Sequence, residues 1–387
     1  MRQVRWASWT VGLAMALAVS GVRPVAADVT SDRAAAILEW PSVIYAEEEV
    51  LGLIGGSLDT IIQLSNTSTD PVNVHCFYEN ANPHCTNTGE VCYDATECCN
   101  PSTGCGICLP GWNETDFHVQ ITPRQPLGWL ASEGASGYST FPPKEFGTFA
   151  IDGVSNFGIG GSSNAGSRVP PVPEEPFIGS LRCIVVDEDG IPTDRNVIKG
   201  EATLEFNDGL DITVAKHNAV GVQAIEGAVN DDNVLVLGGE NAEYNGCPNF
   251  LILNHFFDGA EDPVTDNGDQ IGTILEMVPC SQDYLRQEPG AAVVQYLVYN
   301  EFEQRFSTSR PMQCKQLSLI SNIDTTQNER SIFSAGVSGT LTGQTRINPI
   351  GSGLIAVAHE VHEASGVADF NVHFQGDRAS SDFIVLP

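Results

Sequence analysis

Between His84 and Pro110 the chain reads H-C-T-N-T-G-E-V-C-Y-D-A-T-E-C-C-N-P-S-T-G-C-G-I-C-L-P, and no other stretch constrains the fold as tightly. Six of the eleven cysteines, Cys85, Cys92, Cys98, Cys99, Cys105 and Cys108, lie within 24 residues. A segment this rich in Thr, Asn, Gly and Ser cannot bury enough apolar surface to order itself, so cross-links must do it. Disulfides form and persist where the environment oxidises thiols. The cluster therefore predicts an exported protein with a stapled surface loop.

The N-terminus agrees. Arg2 and Arg5, an apolar run from Val11 to Val19, and the small-residue exit Val25-Ala26-Ala27 read as a signal peptide over residues 1–27. The run falls short of the about 20 apolar residues that a membrane span requires, and no later run reaches that length. The expectation is a mature chain starting near Asp28, secreted to a periplasm or the extracellular space, without membrane insertion. The formal net charge is -31. Nucleic acids and anionic membrane surfaces are polyanions that such a field repels, so neither is expected as a partner.

A chain of this length exceeds one ordinary core, and two domains are expected. Long apolar segments with a 3.6 period are missing, whereas 38 glycines and 22 prolines suit short strands and turns. Leu58 to Leu64 reads as a strand, Ser65 to Pro71 as a turn, and Val72, Val74, Cys76 and Tyr78 alternate with polar neighbours. Together they predict a β-hairpin with one buried face. Alternation resumes over residues 116–122, with Phe117, Val119 and Ile121 on one side, so the cysteine cluster reads as an insertion between two strands. Further strands are expected over 178–186, 201–206, 233–237, 250–254 and 381–387. Residues 153–176 contain G-I-G-G-S-S-N-A-G-S and V-P-P-V-P-E-E-P. They lack the Lys-Ser/Thr ending of a phosphate cradle and read as a long surface loop.

The second half echoes the first. Residues 60–66 and then Cys76 resemble residues 293–300 and then Cys314, each an apolar strand with a central Gln leading to a Cys. Gly179 to Val185 resembles Gly351 to Val357, and the strands 201–206 and 368–374 follow in turn. Short strands with regularly spaced turns resemble immunoglobulin-like sandwiches. The predicted fold is all-β. It has two tandem immunoglobulin-like β-sandwich domains, 28–245 and 246–387, the first carrying a disulfide-rich insertion (80–111) and the loop 153–176. As a whole the chain resembles secreted bacterial proteins of this architecture.

The cluster's spacing, C-x6-C-x5-C-C-x5-C-x2-C, resembles small cystine-knot modules over about 24 residues. The knot's order would imply Cys85 with Cys99, Cys92 with Cys105, and Cys98 with Cys108. Six cysteines allow fifteen pairings, and the closing C-x2-C leaves little room for a knot's hairpin. A zinc ribbon would need a second C-x2-C pair and reduced thiols. Outside the cluster, Cys76 is expected with Cys183, because the second half has Ala356 where the first has Cys183, and Cys247 with Cys280. An odd total leaves one thiol, assigned to Cys314.

Several motifs point to chemistry without completing it. His359-Glu360-Val361-His362-Glu363 puts its second His one residue early for a zincin, and its flanks alternate like strands, so the two imidazoles face opposite ways. They read as exposed strand histidines, with His373 on a returning strand as a neighbour for His359. The acidic run 258–269 offers Asp258, Asp262, Asp266 and Asp269 as oxygen ligands for calcium, or an acidic linker between domains. No G-x-S-x-G occurs, and Gly55-Gly56-Ser57-Leu58 lacks the Asp of the esterase block it resembles. Asn66-Thr67-Ser68 and Asn113-Glu114-Thr115 fit the glycosylation pattern. The function expected is that of a non-enzymatic interaction scaffold for a protein or glycan, without cofactor, with Trp112, Trp129 and Phe141 as aromatic anchors. A calcium-dependent or carbohydrate-binding module is the second class, and a hydrolase without a linear motif the third.

Overall fold

A computed structural model describes residues 30, 32–47, 56–92, 96–109, 111–135, 169–207, 209, 212–228, 232–265, 268–324, 331–363 and 366–387. The segment 1–27 and residues 153–168 of the Gly/Pro-rich loop lie outside them. The chain is all-β, its one α-helix among the described residues being the turn Ala335–Ser338. Strands of three or more residues are numbered in chain order. The first ten are β1 (Ile37–Tyr45), β2 (Ser57–Asn66), β3 (Val72–Asn80), β4 (Asn113–Ile121), β5 (Pro126–Leu130), β6 (Phe177–Val186), β7 (Ile198–Asn207), β8 (Ile212–Asn218), β9 (Val220–Val222) and β10 (Val234–Leu237). Then follow β11 (Pro248–Phe256), β12 (Gln270–Pro279), β13 (Ala291–Asn300), β14 (Arg305–Gln313), β15 (Gln316–Leu319), β16 (Thr342–Gly351), β17 (Leu354–His362), β18 (Gly366–Asn371), β19 (His373–Asp377) and β20 (Asp382–Val385).

Five larger sheets follow one another in a ring. The first has the order β9-β1-β6-β3-β4 and the second β8-β7-β2-β5, and the core between them includes Trp40, Leu64, Val74, Tyr78, Trp129 and Leu181. The fourth, β14-β13-β16-β11-β19, packs on the fifth, Ala260–Glu261-β12-β17-β18 with β15 also on β12, around Leu253, Met277, Tyr296 and Ile347. The third is small, β10-β20-Gln282–Asp283, and a separate core joins it to the back of the first sheet through Phe77, Ile184, Leu235, Tyr284 and Ile384.

This last core spans the expected boundary between the two domains. The sheets do not resolve into two immunoglobulin-like units at 245/246: β10 precedes that boundary and pairs with β20 at the end of the chain. The expected hairpin of β2 with β3 is also absent. β2 pairs with β7 and β5, and β3 with β6 and β4, so the turn between them is an arch from one sheet to the facing one. Asn66 holds the arch, its amide donating to the carbonyls of Asp70 (2.8 Å) and Thr122 (3.1 Å) while Ser68 N–H donates to its oxygen (2.8 Å). The sequence echo between halves has no matching placement. β7 runs beside β2 along its whole length, whereas 368–374 is split between β18 and β19, which pair with β17 and β11 and never with β13. Half-buried strands draw on one small set of β-branched and aromatic residues, so they resemble one another without shared topology.

Candidate functional site

The β3–β4 ladder is the antiparallel pair that the alternation on both sides of the cluster predicts, running from Val72↔Ile121 to Asn80↔Asn113, with the cysteine module in the connection. The module's pairs are Cys85–Cys98, Cys92–Cys108 and Cys99–Cys105. This corrects the knot order. Residues 99–100 and 104–105 form a tight hairpin that places Cys99 directly opposite Cys105, so a knot's long-range partner for either is out of reach. Cys85, Cys92 and Cys98 make a small core of their own, while Ile107 and Leu109 remain 61% and 49% exposed. Glu174 fastens the module to the body, accepting hydrogen bonds from Asn80 (2.6 Å) and Asn82 (2.7 Å) and facing His84 Nε2 at 2.9 Å. Burial pushes the Glu174 carboxyl up, but these partners outweigh it and hold it below its usual range.

The other disulfides join Cys76 to Cys183 and Cys247 to Cys280, and Cys314 is a buried free thiol. Of the expected aromatic anchors, Trp129 is a correction. It is 1% exposed inside the first core and its indole N–H donates to the Tyr78 hydroxyl at 2.6 Å. Trp112 packs over Tyr284, and Phe141 lies outside the described residues.

On the back of the first sheet, β3 and β4 present His75 directly opposite His118, with Asp116 two residues before His118 on the same face. His75 Nε2 lies 2.9 Å from Asp116 Oδ2, and the two imidazoles stack at 3.9 Å between centroids. Burial lowers the His75 pKa more than Asp116 raises it, favouring the neutral ring. His75 and His118 line an open cleft of about 840 Å³ together with the turn Asp187–Gly190.

Deeper, where the first sheet meets the fifth and the segment 279–284, lies a buried ionic network that no linear motif marks. Arg182 Nε meets Glu39 Oε2 at 2.5 Å, and its other nitrogens donate to the carbonyls of Pro279 (2.9 Å) and Cys280 (3.2 Å). Glu79 accepts from Tyr284, from Ser180 (2.7 Å) and from Gln282 (3.1 Å). Lys315 Nζ reaches Glu276 Oε2 at 2.6 Å and the carbonyls of Pro41 and Gly179. Ser42, Glu276, His359, Asp369 and His217 then form one hydrogen-bonded chain. Its order is not that of a hydrolytic triad. The serine donates to a carboxylate rather than to an imidazole, unlike the Ser-His-Asp arrangement.

The histidine motif also needs correcting. His359 is not exposed, at 3%, and His373 sits on β19 in the fourth sheet, away from β17. His359 and His362 do face opposite ways, His362 contacting Asp262 (2.9 Å) and Glu360 (2.8 Å). In the acidic run, Asp258 accepts backbone N–H groups of Thr273 (2.9 Å) and Ser321 (2.8 Å), and Asp262 is taken by His362 and Val264. Asp269 lies just before β12, its Oδ2 without a hydrogen-bond partner among the described residues, and Asp266 lies outside those residues. The amide of Asn66 is buried and spent on carbonyls, so that glycosylation pattern is closed in the folded chain.

No helix among the described residues is long and apolar enough to cross a membrane. No protein-family model matches the chain, and no curated protein matches it.

Proposed function

We propose that the protein is a secreted, non-enzymatic interaction scaffold, built from β-sandwich modules of immunoglobulin-like kind, that presents its disulfide module to a protein or glycan partner. The observation that carries this reading is that the module contributes nothing to the three large cores. It keeps its own three-cysteine centre and turns Ile107 and Leu109 outward. Three cross-links in 24 residues fix that surface before any partner arrives, which lowers the ordering cost of binding. Five disulfides in all support an oxidising location.

The test compares capture by the intact protein with capture by a variant in which residues 85–108 are replaced by a short Gly/Ser bridge. Culture medium and envelope fractions supply protein partners, and a glycan array supplies sugars. Loss of a specific partner with the module, while the melting temperature stays the same, supports the reading. A partner held equally by both proteins moves recognition elsewhere, and turnover of an activity-based hydrolase probe removes the non-enzymatic part.

A further inference from the structure

We propose that His75, Asp116 and His118 form a site for one divalent transition-metal ion of the zinc class, with an open coordination position facing the cleft. The donor atoms of the three side chains lie within 4.8 Å of one another. Strand register places them together: His75 and His118 are direct cross-strand partners, and Asp116 follows the two-residue period on the same face. Two imidazoles and one carboxylate are the donor set that suits zinc, iron, nickel or copper rather than calcium or magnesium, which take oxygen. Three protein ligands leave the fourth tetrahedral position for water or a ligand atom, the pattern of open zinc sites.

The surroundings separate this trio from the other histidines. His84, His217, His255, His359 and His362 are each engaged by a carboxylate, hydroxyl or carbonyl that the fold needs. His118 is exposed, and among the described residues no group hydrogen-bonds to its ring, which only stacks on His75. His75 also packs on Phe77, ring centroids 4.2 Å apart, and is buried, so it is a fixed ligand and His118 a movable one that unstacks to meet the ion. Asp116 is the accessible carboxylate of the trio, its side chain 47% exposed. The cleft gives an entry path, and the acidic turn Asp187, Glu188, Asp189 on its wall raises the local cation concentration.

The experiment titrates the full mature protein with Zn2+ alone, by calorimetry and by equilibrium dialysis with metal analysis. One ion per chain is expected. His118→Ala and Asp116→Asn, both at exposed positions, should each weaken binding at least tenfold without changing the melting temperature of the metal-free protein. His373→Ala, an exposed histidine on another sheet, should bind as the parent does. Co2+ in place of Zn2+ should give the intense visible bands of a low-coordinate nitrogen and oxygen site, lost in His118→Ala. Failure of the parent to take up Zn2+, or equal uptake by His118→Ala and Asp116→Asn, overturns the site. Because the cleft lies outside the disulfide module, replacing residues 85–108 should leave the zinc stoichiometry at one.

Discussion

His359 Nε2 lies 2.7 Å from Glu276 Oε1, inside the fifth sheet and out of reach of water. Burial disfavours the charged imidazole, but Asp369 and Glu276 outweigh it and raise the His359 pKa to about 10. Burial likewise opposes the Glu276 charge, yet Lys315 and then His359 bring its carboxyl down to about 2. The native state thus holds the imidazole proton more tightly than the unfolded chain does. That contribution is complete below the ordinary value of 6.5 and is lost as pH rises towards 10. The glutamate contribution is complete above 4.5 and is lost as pH falls towards 2. Urea midpoints should therefore peak between these two ordinary values, and His359→Leu should flatten the alkaline limb. An unchanged alkaline limb in that variant would remove the ion pair from the stability of the protein.

Taking away one partner of such a pair is worse than lacking both. His359→Ala leaves Glu276 with only Lys315 and the Ser42 hydroxyl and leaves Asp369 without its nearest cation, and it should cost about 3 to 5 kcal/mol in unfolding free energy. Adding Glu276→Gln should then cost less than it does in the parent. A double-mutant cycle with additive effects, measured in urea, would show the two groups to be uncoupled.

The network also marks what the sequence does and does not disclose. The period of two along β3 tells which residues share a face, and Val72, Val74, Cys76 and Tyr78 do enter one core. The same period makes Asn73, His75 and Glu79 look like a solvent face. Glu79 is covered instead by partners 101 to 205 residues away, Ser180, Gln282 and Tyr284. Charge in a strand is ordinarily read as exposure, and only long-range packing reverses that reading for Glu39, Glu276 and His359. The cluster of His75, Asp116 and His118 needs the β3–β4 register as well as the alternation, because the ligands stand 41 residues apart in sequence. The Cys76–Cys183 pair is reached in sequence through an apparent repeat that the fold does not reproduce. Its cause in the structure is simpler, since the two residues are opposite one another on β3 and β6.

The disulfides should differ in what they hold. Cys76–Cys183 closes 107 residues of separation, and Cys99–Cys105 only 6. Loop-closure entropy then predicts about 4 to 5 kcal/mol lost in the double Cys76→Ala, Cys183→Ala variant and about 2 kcal/mol for the double Cys99→Ala, Cys105→Ala variant. The second loss is confined to the module, so the global melting transition should barely move. Calorimetry of the two variants checks both statements, and a global transition lowered equally by each would show that the module is part of the main cores.

Cys314 should be inert until the protein unfolds. Burial pushes its thiol well above the usual range, and Glu79 and Glu39 push the same way against Lys315. The thiolate is the reactive form, so native protein should resist iodoacetamide at neutral pH. Unfolded but unreduced protein should take one label, at Cys314, located by peptide mass spectrometry. Rapid labelling of the native chain, or a disulfide at Cys314, contradicts the assignment.

Calcium should leave the stability unchanged. The ion takes six to eight oxygens, and the acidic run has already committed several of its own. Asp258 uses both carboxylate oxygens on the backbone of Thr273 and Ser321, which ties β12 to the 320–322 turn. Asp262 binds His362 through one oxygen and the N–H of Val264 through the other. To coordinate calcium, either carboxylate must leave bonds on which the fold relies, and the binding free energy is reduced by that loss. A site filled at a hundred times its dissociation constant would stabilise the protein by about 2.7 kcal/mol. The expected result is the same calorimetric midpoint in millimolar calcium and in chelator. A clear rise with calcium, abolished by Asp262→Asn, would instead assign the loop to the ion.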